Sequence, residues 1–311
     1  MSAARGGLRG RRRLVGLVLA AAAAATTACT RAEPAELPRA PQAAELDRLP
    51  SSATAIVRVR FDGPGAAVLA RALEETGGER LACLAELLPQ LRQAAIAFVP
   101  RGREFAALLL LDGTVERAAV DRCGAELARA FAGRPLPEGS TPAVKSAEAA
   151  GHDGAGSWLL ALDLETERLP AGVRGPLAEA FNRLAEFPIV AAVSGGEALR
   201  ALSGMAATYL PLSSMGEAAD RITAMAYGLS PRADGSAVVR LEVELDDAES
   251  AKSLARQVRL VGRIGALDGE QVAWQELRSM VHDLEARVVG DGRRVRVDAT
   301  LTPAGLAGIF R

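Results

Sequence analysis

Aromatic side chains make up only 4% of the 311 residues, histidine occurs twice, cysteine three times, and lysine only as Lys145 and Lys252. Each shortage removes a class of function. Few aromatics leave no stacking platforms for single-stranded nucleic acid or for sugars. The two histidines, His152 and His282, stand far apart, and no Cys-x-x-Cys pair occurs. A zinc-type ligand spacing is therefore missing, and neither metal nor cofactor is expected. No Gly-x-Ser-x-Gly or Ser-x-x-Lys motif offers an activated serine. All but two of the 37 basic residues are arginine, a bias we attribute to GC-rich codon usage. Scattered arginines accordingly carry no weight as anion ligands.

What is present begins with an uneven charge. The formal charge is −1, yet Arg5, Arg9, Arg11, Arg12 and Arg13 precede Cys29 with no acid among them; without those five the remainder stands at −6. An acidic body repels phosphate backbones, so nucleic acid is excluded as a partner. The basic stretch runs into 12 apolar residues, 14–25, too few for the roughly 20 that span a bilayer. A basic start, a short apolar run and small residues before a cut mark a secretory signal peptide, here residues 1–28.

The stretch Thr26-Thr27-Ala28-Cys29 resembles the lipobox of bacterial lipoproteins, with Thr26 where that family favours Leu. The resemblance is confined to this segment. It implies cleavage before Cys29, a diacylglycerol on the Cys29 sulfur and an acyl group on the new amine, hence attachment to a membrane through an N-terminal lipid. With Thr30 after the cysteine, it implies the outer membrane, the body facing the periplasm. The alternatives are cleavage between Ala23 and Ala28 with release, and an uncleaved anchor. Residues 29–51 carry Pro34, Pro38, Pro41 and Pro50 and read as a semi-extended tether.

The other two cysteines lie on apolar helical patterns. Cys83 stands beside Leu84 and Leu87; Cys123 recurs with Val120, Leu127 and Phe131 at helical spacing. Export places them where disulfides persist, so a Cys83–Cys123 bridge is expected, with two buried free thiols as the alternative.

From Ser52 onward strand and helix patterns alternate. Strands are expected over 54–61 and 187–194, and hairpins over 94–113, 144–165, 221–245 and 283–301, turning at Arg101-Gly102, Asp153-Gly154 and Asp291-Gly292 among other places. Helices are expected over 63–75, 79–88, 115–131 (capped by Thr114), 171–186, 195–210, 246–264 and 268–281, with a last one from 302. The order strand, helix, hairpin, helix, hairpin occurs twice, over 52–186 and 187–311. This is an α+β fold of antiparallel sheets with helices on one face, in two similar halves. Residues 237–245 and 294–301 alternate apolar with charged residues, so one face packs and the other meets water. Residues 105–111 do not alternate and belong in a covered, central strand.

Candidate functional residues are few. The glycine turns at 60–68 and 193–199 lack the third glycine of a dinucleotide fingerprint and the lysine of a phosphate loop. His152 falls in a turn, and His282 and Asp283 are neighbours that point to opposite sides of a strand. Trp158 reads as core. Trp274, on an amphipathic stretch, is a candidate ligand or partner contact. The expected function is a non-catalytic cell-envelope lipoprotein acting as a binding or scaffolding module for an envelope protein. The alternatives are a carrier of an apolar ligand or lipid, and a hydrolase using carboxylates.

Overall fold

The computed structural model describes residues 43–63, 82–101, 104–132, 144–149, 156–162, 172–195, 221–267 and 281–304. The chain divides into two units, Gln42–Ala178 and Glu179–Arg311. The division falls inside a helix, eight residues before the 186/187 boundary suggested by the sequence pattern.

In the first unit β1 (Ala55–Arg60), β2 (Leu91–Arg101), β3 (Glu104–Gly113), β4 (Val144–Ala149) and β5 (Gly156–Leu162) lie in the order β1-β2-β3-β5-β4, every neighbouring pair antiparallel. In the second, β6 (Ile189–Ser194), β7 (Ile222–Pro231), β8 (Ala237–Leu245), β9 (Val281–Val289) and β10 (Arg294–Leu301) lie in the order β6-β7-β8-β10-β9, again all antiparallel. Position for position the two orders are the same, so the halves share one topology and the fold is α+β. The helices expected over 63–75 and 195–210 lie outside the described residues.

The helices between strands are α1 (Ala82–Leu87), α2 (Arg117–Ala132), α3 (Gly175–Arg183) and α4 (Ala248–Leu267). Helix α4 begins at an aspartate cap: Asp247 Oδ1 accepts from the amides of Glu249 and Ser250, both at 2.8 Å. Its Ala251, Leu254 and Ala255 are buried and pack on β8, β9 and β10. Helix α2 starts later than its sequence suggests. Thr114 is not its cap; the Thr114 amide donates to the Gln90 carbonyl, and the amides of Ala119 and Val120 take the Glu116 carbonyl instead.

Strand β3 is central, and Leu108, Leu109, Leu110 and Leu111 are all buried, as its unbroken apolar run requires. One face of this sheet meets the two helices through Leu87, Leu109, Leu111, Val120 and Trp158. A segment assigned by its prolines to the tether belongs to the body instead. Residues 44–47 form a 3-10 turn, and Leu46 and Leu49 are fully buried. The Leu46 and Leu49 carbonyls accept from the Val173 and Gly172 amides. The folded body thus extends back at least to Ala43, not Ser52.

The β9–β10 connection spans four residues, 290–293, rather than a two-residue turn. Gly290 and Gly292 take the left-handed conformations that close it, at φ 65° and 87°. The β9–β10 ladder is interrupted by a bulge on β9 opposite the step from Asp298 to Thr300 of β10, where Asp283 has φ 53°.

Candidate functional site

The expected disulfide is present. Cys83 on α1 and Cys123 on α2 are bonded, their Cα atoms 5.1 Å apart. Both are buried in the cluster that also holds Trp158, whose indole Nε1 donates to the Val115 carbonyl at 2.9 Å. Trp158 is therefore a core residue. Cys29, His152 and Trp274 lie outside the described residues, and the side chain of His282 is likewise not described; its backbone pairs with Thr300.

Two buried polar networks stand out among the described residues. On the sheet face away from α1 and α2, Asp112 accepts from Ser157 Oγ at 3.0 Å, Arg92 at 3.2 Å and Gln93 at 3.4 Å. Ser157 in turn accepts from Arg48 at 2.7 Å. Gln93, Asp112 and Ser157 are direct cross-strand neighbours, so the network is one sheet row tied to the N-terminal segment. Beside it Arg58 and Glu45 form a buried ion pair at 2.8 Å. Burial pulls the Arg58 guanidinium below its ordinary value, and Glu45 opposes that.

In the second unit the charged face of the sheet is not the solvated surface that alternation implies. The Glu242 carboxylate has no exposure. It meets Arg183 of α3 at 2.9 Å, Arg296 at 2.8 Å and Arg294 at 3.5 Å. Arg183 also reaches Glu244 at 2.7 Å, while Asp298 takes Arg240 at 2.6 Å and Arg287 at 3.1 Å. Each carboxylate is matched to guanidinium groups that fix elements in place.

Two isolated buried polar atoms of the second unit were invisible in the sequence. Among the described residues, the buried hydroxyl of Tyr227, itself at 1% exposure, finds no hydrogen-bond partner, and neither does the buried amide oxygen Oε1 of Gln257. Burial alone raises the Tyr227 phenol above its ordinary value. Neither residue stands in a motif; each looks like one more position in an amphipathic strand or helix. Among the described residues no group of three or more His, Cys, Asp or Glu side chains could hold a metal ion.

No protein-family model matches the chain, and no curated protein sequence matches it. Solved structures of the protein TP0453 are similar in course. Crystal form III aligns with a TM-score of 0.47 and 14% identity over 85% of this chain and 96% of that one. Crystal form I aligns with a TM-score of 0.49 and 13% identity over 84% and 94%. The fold class itself rests on the strand order and register above.

Proposed function

We propose that the chain is an exported cell-envelope protein, lipid-anchored through Cys29 to the outer membrane and facing the periplasm, whose body is a non-catalytic binding or scaffolding module. The observation that carries this reading is the Cys83–Cys123 bond. Disulfides persist in oxidising compartments and are rare in the cytosol, so the bond agrees with the leader independently of its residues. The carboxylates support a non-catalytic body. Glu45, Glu242, Glu244 and Asp298 are engaged by arginines. Among the described residues, the carboxyls with a shifted pKa, Asp234, Asp247 and Asp291, are all pushed down, by hydrogen bonds with Ser236, Ser250 and Arg293 respectively. A hydrolytic acid needs the opposite shift. The carrier reading draws support from the unpaired hydroxyl and amide oxygen of Tyr227 and Gln257.

The test is metabolic labelling with a fatty acid in a bacterium that processes lipoproteins. The parent chain should take up label and sediment with membranes, and Cys29→Ala should do neither. Label retained by Cys29→Ala would remove the lipid anchor. Cross-linking in intact cells, followed by identification of what co-purifies with the body, tests the module: envelope proteins are expected, and consistent recovery of the body alone would reject scaffolding.

A further inference from the structure

The sheet of the second unit ends at β9, which among the described residues pairs with β10 alone. The direction of its backbone groups follows from its neighbours. The Leu245 amide donates to the Arg293 carbonyl at 3.0 Å, and the β8–β10 register continues from that pair through Val243–Val295 to Leu241–Val297. In an antiparallel ladder every second residue turns its backbone to the same neighbour, so Val297 faces β8 and turns away from β9. Its partner on β9, Ala286, therefore points its amide and carbonyl out of the sheet edge, and Val288, opposite Val295, does the same. Arg259 Nε of α4 donates to that outward Ala286 carbonyl at 2.7 Å. The arginine side chain sits in the ladder position that another strand would take.

The edge so plugged is complementary to itself. When a second copy is turned about an axis perpendicular to the sheet, so that Ala286 faces Ala286 of the copy, Glu285 faces Arg287 of the copy and Leu284 faces its Val288. Opposite charges meet on one face and apolar side chains on the other, the pairings that stabilise antiparallel strands. Glu285 also lacks a counter-charge within its own chain. Its cross-strand partner is Asp298, a like charge, which is itself taken by Arg240 and Arg287. Among the described residues no ion pair holds Glu285. We infer that β9 is a docking edge for a second copy of this chain, paired antiparallel about Ala286, and that Arg259 holds the edge shut. Arg259 opposes the pairing twice: it occupies the Ala286 carbonyl, and the two-fold axis brings it against Arg259 of the second copy, like charge to like. The inference concerns the second unit alone and does not depend on export or on the lipid at Cys29.

The test is sedimentation velocity over a dilution series, on the full chain carrying Cys29→Ser so that no acyl chain drives association. Arg259 is otherwise exposed on its helix, so Arg259→Ala should fold as the parent does. It should self-associate at least about tenfold more tightly, since each copy no longer gives up a charge-assisted hydrogen bond to pair. Two further changes in the Arg259→Ala background test the register. Glu285→Arg sets arginine against Arg287 of the second copy while placing a cation opposite Asp298 within its own chain, and should return association to the parent's level or below it. Val288→Pro removes an outward amide and leaves the ladder to β10 intact, and should do the same. The inference is overturned if Arg259→Ala associates no more tightly than the parent, or if its dimer survives both further changes. Either result leaves the labelling experiment on Cys29 untouched.

Discussion

The ring of Phe187 lies against the backbone of Gly228, so near that a methyl group at residue 228 would stand 2.6 Å from the ring's Cγ. The same ring carries the Arg240 guanidinium 5.5 Å from its centroid. Gly228 and Arg240 are partners across β7 and β8. The missing side chain at 228 makes the slot for Phe187, and Phe187 then covers Arg240. Gly228→Ala must displace the ring, at a cost of about 1–3 kcal/mol, as overpacking does. Thermal denaturation followed by circular dichroism measures this. Pairing the change with Phe187→Leu should restore part of the loss; a single variant as stable as the parent would show that the ring has room to move.

Glu242 is the acceptor on which Arg183, Arg294 and Arg296 converge. Removing one partner of a buried ion pair costs about 3–5 kcal/mol. The three arginines keep 20–27% exposure and can turn toward water, so Glu242→Ala should fall below that range, at about 2–3 kcal/mol. Urea unfolding supplies the number. A loss under 0.5 kcal/mol, the size of an ordinary surface change, would mean that the cluster adds no net stability.

The hairpins within each half were legible because they announce themselves, and the apolar run of β3 and the alternation of β8 and β10 say which strand is covered and which have two unlike faces; the order in which the hairpins join into a sheet was not. The repeat of one topology followed from the repeated order of patterns. Burial of Glu242 was not legible, because alternation reports which residues face the core and is silent on what covers the other face. Arg183, 59 residues away, supplies the cover. The N-terminal segment was misread for a related reason. Its prolines suggest an extended chain, yet Leu46 and Leu49 are buried and their carbonyls paired with Val173 and Gly172, partners that only the folded unit supplies. Thr114 has the chemistry of a helix cap but is drawn to the Gln90 carbonyl by the neighbouring strand end. The Tyr227 hydroxyl and the Gln257 amide oxygen, unpartnered among the described residues, leave no sequence trace, since absence of a partner is a property of three dimensions.

Asp247 holds the start of α4 through the amides of Glu249 and Ser250 and the Ser250 hydroxyl, the last at 2.6 Å. Those bonds, Ser250's foremost, keep its carboxyl far below the ordinary aspartate value of about 3.9. A carboxyl depressed in the folded state adds stability above the unfolded value and loses it as the pH falls toward the folded one. Asp247→Ala should therefore lower the urea midpoint at pH 7, and the gap from the parent should narrow progressively below about pH 4. A gap that stays constant from pH 7 to pH 2 would exclude the charge as the source of the effect.

The Cys83–Cys123 bond closes a sequence separation of 40 residues. The chain-entropy estimate for such a loop is about 4 kcal/mol, and the bridge joins α1 to α2 over the Trp158 cluster. Alkylation of the denatured, unreduced protein should find neither thiol free. Cys83→Ala with Cys123→Ala should lower stability by about 2–4 kcal/mol. Trp158, held in the same cluster, should report the change as a red-shifted emission before global unfolding. Two free thiols in protein recovered from an oxidising compartment would reject the bridge and, with it, the observation on which export was argued.

Arg48 separates the two readings of the N-terminal segment. Its guanidinium donates to Ser157 at 2.7 Å, the next residue is fully buried, and the Leu49 carbonyl is taken by the Gly172 amide. Cleavage after Arg48 requires that backbone to leave its hydrogen bonds with Gly172 and Val173, which also withdraws Leu46 and Leu49 from the interior. Burying two leucines is worth about 3–6 kcal/mol, so local opening should be slow compared with cleavage in an extended tether. Brief trypsin treatment of the native protein should therefore leave a body beginning at Ala40, after Arg39, rather than at Leu49. Mass spectrometry of the first stable product reads the difference directly. A product starting at Leu49 under native conditions would show that residues 43–48 belong to the tether after all, and that Glu45 and Arg58 do not hold the segment in place.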